Sequence, residues 1–213
     1  MALEYIDGKS FFDLKQKPTA KERDFLVRQA ALINGLQIRP KLFYDYWAVV
    51  NFLKEYQEVK KHLEKKDIKL IDPLAEKFKQ VDVKSLPRCL VHGDIIETNV
   101  IRSQKGRLYI FDFSVANIYP RIQELAVMLC DILFVPERGK FQAIYQRTLD
   151  VYQKEIKLEK AEIEALPLLV RAAHAMHIIG SVKYALEEGD FEENKHWIKM
   201  GREGLAFTRK FRG

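Results

Sequence analysis

The sequence is poor in cysteine and has no long apolar run. Two cysteines among 213 residues are too few for a disulfide-stabilised secreted domain. Cys89 and Cys130 both lie among apolar residues, so we interpret them as buried thiols and predict a cytoplasmic protein. No run of about 18 apolar residues, the length that spans a membrane, is present. The start of the chain, MALEYIDGKS, has neither a basic region nor an apolar core, so we expect no signal peptide and no membrane partner.

The sequence also lacks a concentrated patch of one charge. The formal net charge is +6, from 36 basic and 30 acidic residues. In the densest block, Lys54–Lys69, acids alternate with bases, which is typical of a solvated helix face with ion pairs. The basic C-terminal segment, GREGLAFTRKFRG, has no aromatic-and-glycine signature of nucleic-acid binding. We therefore do not expect a nucleic-acid partner.

The first part of the chain is predicted to be mostly helical. A short apolar segment at Ala2–Ile6 precedes an Asp-Gly turn signal and is interpreted as the end of a strand. A capping box that begins at Thr19 predicts a helix that ends near Gly35. Apolar spacing predicts a second helix over Tyr44–Lys65 and a shorter third helix over Pro73–Lys79.

The centre of the chain has the pattern of a small β-hairpin. Cys89–Val91 is a short apolar run, and Val100 and Ile101 begin another. A turn at Ser103–Gly106 leads into Arg107–Phe113, which is apolar on both faces and is predicted to be a buried strand. From Arg121 onward the spacing of apolar residues is helical throughout. The predicted fold class is α+β, mainly α, in one domain.

Four polar residues and a glycine mark the candidate site. His92, Gly93, Asp94 and Asn99 lie on one irregular loop, and Asp112 ends the next predicted strand. Because the arms of a hairpin lie side by side, we expect Asn99 and Asp112 to be neighbours. A carboxylate and an amide oxygen at one point are ligands suited to Mg²⁺. Asp94 would then lie one loop away as a proton acceptor, with His92 and Gly93 shaping the loop.

This arrangement is what phosphoryl transfer requires. The reaction needs a metal ion on the phosphates and a base that orients the attacking hydroxyl. The spacing Asp-x4-Asn, followed by a buried aspartate, also matches the catalytic and metal loops of protein kinases.

Three motifs in order give a more specific resemblance. HGDIIETN, IFDFSVA and YPRIQELA together resemble the aminoglycoside phosphotransferase and choline kinase family. The segment LEYIDGKSFFDL is similar to the hinge of that family, the strand that contacts adenine between the two lobes. The resemblance extends from Leu3 to at least Phe134, and it implies a kinase-like C-terminal lobe that uses ATP and Mg²⁺.

The resemblance implies a role for each matching residue. Asp94 would be the catalytic base, Asn99 and Asp112 would bind Mg²⁺, and His92 would brace the loop. Backbone groups of the hinge would bind adenine. The hinge residues are Glu4, Tyr5 and Ile6.

Two departures from the family pattern concern the catalytic loop. Glu124 stands where the family usually has aspartate, at a position that supports the loop together with Gly93. The four residues between the aspartate and the asparagine, Ile95–Thr98, differ from the sequence that is usual in the family at these positions.

A larger departure is the absence of a phosphate-gripping segment. No GxGxxG or VAIK-like stretch occurs in the sequence, so we expect the N-terminal lobe to be missing or to be a separate partner. The chain is then divided into a hinge (1–8), helices (9–87), catalytic and metal loops (88–116) and a helical acceptor-site region (117–213). On this interpretation the chain alone binds ATP weakly and turns over little.

The predicted function is transfer of the γ-phosphate to a hydroxyl of a small metabolite or an aminoglycoside-like substrate. The alternative is a non-catalytic, kinase-derived binding module or a fragment that needs its N-terminal lobe. A protein kinase fits less well, since no APE-like segment or long activation loop follows Asp112. The acceptor is not specified by the sequence.

Two further groups of residues have both a structural and a functional interpretation. His174 and His177 are spaced as metal ligands on a helix, but no acidic or cysteine partner is near in sequence, so packing is the preferred interpretation. The acidic segment EEGDFEEN, residues 187–194, is interpreted as a solvated helix junction, with recognition of a cationic substrate as the alternative.

Overall fold

A computed structural model describes residues 5–189 and 192–211, without the side chain of Glu193. Helices dominate it. The strands are β1 (Gly8–Ser10), β2 (Arg88–Val91), β3 (Val100–Ser103), β4 (Leu108–Ile110) and β5 (Asn117–Pro120). The α-helices are α1 (Phe11–Leu14), α2 (Ala20–Asn34), α3 (Phe52–Val59), α4 (Lys65–Phe78), α5 (Ile122–Cys130), α6 (Arg138–Tyr152), α7 (Lys160–Glu188) and α8 (Glu192–Thr208).

The capping box at the start of α2 is confirmed. The Thr19 hydroxyl accepts from the backbone N–H of Glu22, and the Glu22 carboxylate accepts from the backbone N–H of Thr19. These bonds satisfy two backbone donors that a helix start otherwise leaves free. The helix ends at Gly35, as the sequence predicts.

The predicted bounds of the next two helices are wrong. Residues 44–48 are not helical, and after α3 and a short 3-10 turn the chain becomes extended at Leu63. Pro73, which we took as a helix start, lies inside α4. Proline removes one helical N–H bond. The helix continues through it because it buries an apolar face. That face consists of Ile71, Leu74, Ala75 and Phe78.

Two small antiparallel sheets carry the centre of the chain. The predicted hairpin is confirmed as β3 and β4, and β1 pairs with the outer side of β3. The second sheet pairs β2 with β5, a strand that the sequence analysis assigned to a helical region. The predicted strand over Arg107–Phe113 is too long, because Phe111 and Phe113 are exposed and the chain turns after β4.

The turn expected at Gly8 is instead a close strand contact. Gly8 begins β1, and a Cβ at this position would lie 2.6 Å from the carbonyl oxygen of Arg102. Real Cβ atoms do not approach an oxygen so closely, so glycine here permits β1 to pair with β3. Tyr5, Ile6 and Asp7 precede this strand and have no regular secondary structure.

The helical region from Arg121 onward is confirmed, and β5 lies immediately before it. Helix α7 is the centre of the core and packs against α3, α4, α5 and α8. By length and composition alone, α7 is long and apolar enough to span a membrane. The expectation that no segment of the chain meets this condition is therefore wrong. Within that apolar window 78% is buried inside the protein, which is typical of a core helix.

Candidate active site

The loop after β2 is shaped by a glycine and by buried hydrogen bonds. Gly93 has φ +84°, a backbone conformation that side-chain-bearing residues rarely adopt. The backbone N–H groups of His92 and Gly93 donate to the two carboxylate oxygens of Glu124, at 2.7 and 3.1 Å. Glu124 lies in α5 and is fully buried, so α5 fixes the backbone just before Asp94.

Glu124 is itself held from a second direction. The side-chain amide of Asn34, at the end of α2, donates to the carbonyl oxygen of Leu90 at 2.8 Å and to Glu124 at 3.4 Å. The Tyr152 hydroxyl donates to the amide oxygen of Asn34 at 2.7 Å. Burial raises the pKa of Glu124 to about 7, and these hydrogen bonds offset part of that cost.

His92 links the loop to the segment that carries Asp112. Its Nε2 donates to the carbonyl oxygen of Phe111 at 3.1 Å, and its Nδ1 accepts from the backbone N–H of Asp94 at 3.2 Å. A carbonyl oxygen only accepts, so this pair of bonds fixes a neutral ring with the proton on Nε2. Burial lowers the pKa of His92, in agreement with a neutral ring. The ring also packs 4.3 Å from that of Phe113, so it contacts both neighbours of Asp112.

Asp94 and Asn99 are in direct contact. The Asn99 amide donates to Asp94 Oδ2 at 2.6 Å and to the Asp94 carbonyl oxygen at 3.1 Å. No described residue donates to the other carboxylate oxygen, Oδ1. Burial raises the pKa of Asp94 to about 7, and the negative charge of Asp112 acts in the same direction. The loop therefore holds a poorly solvated carboxylate by one oxygen and leaves the second free.

Asp112 has the opposite environment. It is exposed, and its backbone is left-handed, with φ +62° and ψ +72°. Its carboxylate accepts from the backbone N–H of Ser114 at 3.2 Å, and Ser114 holds its pKa below the ordinary value. Asp112 is therefore a charged carboxylate near neutral pH.

The hairpin brings Asn99 and Asp112 to one end. Val100 pairs with Ile110, and the carbonyl oxygen of Asn99 accepts from the backbone N–H of Phe111 at 3.2 Å. Asp112 is the next residue. The amide nitrogen of Asn99 donates to Asp94. No described residue donates to the amide oxygen of Asn99, and such an oxygen suits a hard cation. The carboxylate of Asp112, at the same end of the hairpin, is ionised, and carboxylate and amide oxygens are ligands that Mg²⁺ accepts.

A cavity of about 350 Å³ opens beside Asp94. Its wall includes a second carboxylate, Asp45, whose pKa is raised by burial, and the aromatic side chains of Trp47 and Trp197. The Asp45 carboxylate accepts from the backbone N–H of Trp47 at 2.8 Å, which leaves one of its oxygens without a described donor. This volume is enough for a small molecule with its polar groups placed between two acids.

A larger cavity, of about 720 Å³, lies between α2 and the hairpin. Its acid, Glu22, is bound by Arg102 through two hydrogen bonds of 2.7 and 2.9 Å and is also part of the α2 cap. A carboxylate engaged in this way is a poor proton acceptor. The cavity beside Asp94 is therefore the better candidate for the acceptor site, although it is the smaller of the two.

The predicted hinge is only partly described. Glu4 lies outside the described residues. The side chain of Tyr5 is 87% exposed, and Ile6 is half-buried. Tyr5 and Ile6 lie next to β1. Neither forms a described hydrogen bond with the loop that carries Asp94. Their predicted adenine contacts stay a prediction.

Sequence reasoning missed two residues that hold the far side of the loop. The carboxylate of Asp131, the residue after α5, accepts from the backbone N–H of Glu97 at 2.8 Å. Lys17 donates to the Asp131 carbonyl oxygen at 2.8 Å and forms an ion pair with Glu97. Asp131 is buried, and burial raises its pKa to about 7. An aspartate after a helix and an isolated lysine give no sequence signal for these roles.

Part of the acidic segment 187–194 cannot be placed. Glu187 and Glu188 are exposed at the end of α7, and Glu192 pairs with Lys195 at 2.8 Å. Asp190 and the side chain of Glu193 lie outside the described residues. None of the described acids of this segment lines the 350 Å³ cavity.

Comparison with protein families identifies the family of the chain. Residues 1–158 match the model of the phosphotransferase enzyme family, APH. The chain belongs to this family. The match contains all three motifs of the sequence resemblance, from HGDIIETN to YPRIQELA. A comparison with curated proteins finds no match.

Solved structures of kinases share the fold. An ethanolamine kinase from Plasmodium vivax aligns with 13% identity and a TM-score of 0.64, over 96% of this chain and 63% of that one. The choline kinase LicA from Streptococcus pneumoniae aligns with 15% identity and a TM-score of 0.65, over 95% and 69%. The spectinomycin phosphotransferase APH(9)-Ia aligns with 13% identity and a TM-score of 0.66, over 98% and 71%.

These likenesses establish a mainly helical, kinase-like fold. The chain spans 63% of the length of the Plasmodium protein. A missing or separate N-terminal lobe therefore stays a prediction, and so do the predicted divisions of the chain.

Proposed function

We propose that this chain is the catalytic lobe of an ATP-dependent small-molecule phosphotransferase that requires Mg²⁺. The observation that supports this most is the placement of Asp94. Asp94 lines the 350 Å³ cavity and is bonded to Asn99, whose carbonyl oxygen accepts from the backbone N–H of Phe111, the neighbour of Asp112. A proton acceptor at the junction of an acceptor cavity and a cation site is the arrangement that phosphoryl transfer uses.

In the proposed mechanism, Asp94 orients the acceptor hydroxyl and takes its proton. The hydrogen bond from the Asn99 amide holds Oδ2 and leaves Oδ1 without a described donor. Glu124 and His92 keep the backbone of the loop in place, so little reorganisation is needed during the reaction. The raised pKa of Asp94 agrees with a base that works near neutral pH.

Asn99 and Asp112 would hold the metal ion through the amide oxygen and the carboxylate. Mg²⁺ would supply positive charge to the phosphate oxygens of the nucleotide. Asp112 stays ionised because Ser114 holds its pKa low, so it is ready to bind a cation across the neutral range. The ring of His92, packed against Phe113 and bonded to Phe111, holds the segment that presents Asp112.

The cavity supports an acceptor that carries both a hydroxyl and a cationic amine. Asp45 provides a second carboxylate in the cavity wall. The rings of Trp47 and Trp197 also line the cavity, and aromatic rings attract cations. The solved neighbours include an ethanolamine kinase, a choline kinase and a spectinomycin phosphotransferase. We infer an amino alcohol or an amino sugar, with the hydroxyl at Asp94 and the amine at Asp45.

The proposal is tested by ADP release across a panel of hydroxylated amines. Any upstream segment encoded next to the chain should be included, because a separate N-terminal lobe would supply further phosphate contacts. We expect ADP formation that depends on one acceptor class, together with a phosphorylated product in the mass spectrum. Acceptor binding without ADP formation by this complete protein would contradict the proposal and favour a non-catalytic binding module.

The predicted weak nucleotide binding of this chain alone has its own test. Calorimetry with Mg-ATP on the 213-residue chain should give a dissociation constant weaker than micromolar. Binding at micromolar or tighter would show that this lobe holds the nucleotide without further phosphate contacts.

A further inference from the structure

Three side chains of the kinds that bind metal ions lie together beside the 350 Å³ cavity. Cys130 is the last residue of α5, and His174 and His177 face it from α7. One donor atom from each of the three lies within 4.8 Å of the others. We propose that Cys130, His174 and His177 form a zinc-binding site.

The histidines have nitrogen atoms with no described partner. His174 is fully buried, and no described residue hydrogen-bonds either of its ring nitrogens. His177 Nδ1 is also buried without a partner. A buried polar group without a partner is destabilising, and native proteins rarely leave several together. A metal ion that takes a lone pair from each ring would remove part of this cost.

The ligand chemistry of the group is that of a zinc site. Zinc in proteins binds thiolate sulfur and neutral imidazole nitrogen, so the proton of the Cys130 thiol would leave when the ion binds.

The spacing of the donors is close to that of a zinc site. Zinc bond lengths place neighbouring ligand atoms about 3.5 Å apart in a tetrahedron. The present upper limit of 4.8 Å requires a side-chain movement of only about 1 Å. Residues three apart on a helix share one face, so α7 supplies both histidines without any change of backbone.

Helix α8 seals the outer side of this cluster. A Cβ at Gly204 would lie 2.1 Å from His174 Nδ1, and one at Gly201 would lie 2.5 Å from the His174 carbonyl oxygen. Glycine at both positions lets α8 approach α7 closely. The histidines are thereby shielded from solvent on the α8 side, which leaves the cavity as the route to the site.

The donor set distinguishes this site from the one at Asp112. A thiol and two imidazoles are the ligands that zinc prefers, whereas Asn99 and Asp112 offer oxygen only. Three protein ligands leave a fourth position open, and Cys130 and His177 both line the cavity. That position would accept water or a ligand donor atom from the cavity. Zinc binding does not depend on the proposed transfer reaction.

The experiment uses the full chain, reduced and stripped of metal with a chelator. Zn²⁺ binding is measured by calorimetry, and Co²⁺ is used as a spectroscopic probe. We expect one equivalent of Zn²⁺ per chain and, with Co²⁺, a near-ultraviolet charge-transfer band from a thiolate ligand. Cys130→Ser should remove the band, and His177→Gln should weaken Zn²⁺ binding by at least about tenfold.

Matched controls are present in the same chain. Cys89→Ser changes the other cysteine, which lies in β2, and His196→Gln changes an exposed histidine of α8. Both variants should bind Zn²⁺ as the unaltered chain does. If Cys130→Ser fails to fold, thiol alkylation of the unaltered chain decides the question, since Zn²⁺ should protect Cys130 and not Cys89.

Two results would overturn the proposal. One is the absence of a thiolate-to-cobalt band together with equal alkylation of Cys130 with and without Zn²⁺. The other is Zn²⁺ binding that persists unchanged in both the Cys130→Ser and the His177→Gln variants.

Discussion

The two aspartates of the candidate site lie in opposite surroundings. Asp94 is largely removed from water and is held by Asn99, and its pKa is raised to about 7. Asp112 is exposed at a left-handed turn, and its pKa is lowered by Ser114. Identical side chains therefore differ in readiness to take a proton and to hold a cation. Such a separation of two carboxyl groups is how one site obtains both a base and a permanent negative charge.

The supports of the two residues differ in the same way. The loop of Asp94 is fixed by buried groups from α2 and α5, mainly Asn34 and Glu124. Asp112 is held by a short turn and by the ring of His92. We infer that changes under Asp94 affect both stability and activity, whereas changes at Asp112 affect cation binding and leave the fold intact.

The largest effect among the following variants is expected for Asp112→Asn. Asparagine tolerates the left-handed backbone but removes the charge, so the fold should persist while cation binding is lost. We expect the Mg²⁺ concentration for half-maximal turnover to rise by roughly 100-fold or more. Asp150→Asn, on the exposed side of α6, is the control and should leave it unchanged. An unaltered Mg²⁺ dependence in Asp112→Asn would remove this residue from the cation site.

Glu124→Gln tests the buried support of Asp94. The amide can accept with one atom only, so one backbone N–H of His92 or Gly93 loses its acceptor. We expect the free energy of unfolding in urea to fall by about 1–3 kcal/mol. Glu76→Gln, an exposed acid paired with Lys79, should change it by less than about 0.5 kcal/mol. Equal stability of the two variants would mean that Glu124 does not support the loop.

A smaller effect is expected from pH. Asp94, Glu124 and Asp131 each have a folded-state pKa of about 7, above their ordinary values of 3.8 for aspartate and 4.5 for glutamate. At these three groups the folded protein therefore binds more protons than the unfolded chain between these limits. Stability should be highest below about pH 4 for these groups and should fall as pH rises toward 7.

Urea titrations at several pH values measure this dependence. Asp131→Asn removes one of the three groups and should flatten the slope between about pH 4 and 7. A slope in Asp131→Asn equal to that of the unaltered chain would contradict the raised pKa of Asp131.

Local sequence patterns predicted the parts of the fold that local chemistry controls. The Thr19 capping box and the hairpin from Val100 to Ile110 are confirmed, since both depend on residues a few positions apart. The helix through Pro73 and the strand β5 were not predicted. Burial of an apolar face and pairing with a distant strand decide these, and neither is visible in a short window.

The candidate site shows the same limit. The loop motif identified Asp94, Asn99 and Asp112, and the structure brings their segments together. The contacts of Asp131 and Lys17 with the loop came only from the structure. The cluster of Cys130 with His174 and His177 was not predicted either, because Cys130 lies far from the two histidines in sequence. Helix packing brings Cys130 to them from α5.

The most direct test of the central claim is the variant Asp94→Asn, made together with any upstream segment encoded next to the chain. Asp94 is proposed to take the proton, and Asn99 and Asp112 to hold the cation. Turnover should therefore fall by about 10²–10⁴-fold, while the dissociation constant for Mg-ATP stays within about threefold of the unaltered protein. Turnover like that of the unaltered protein would contradict the account, and so would a loss of activity explained wholly by weaker Mg-ATP binding.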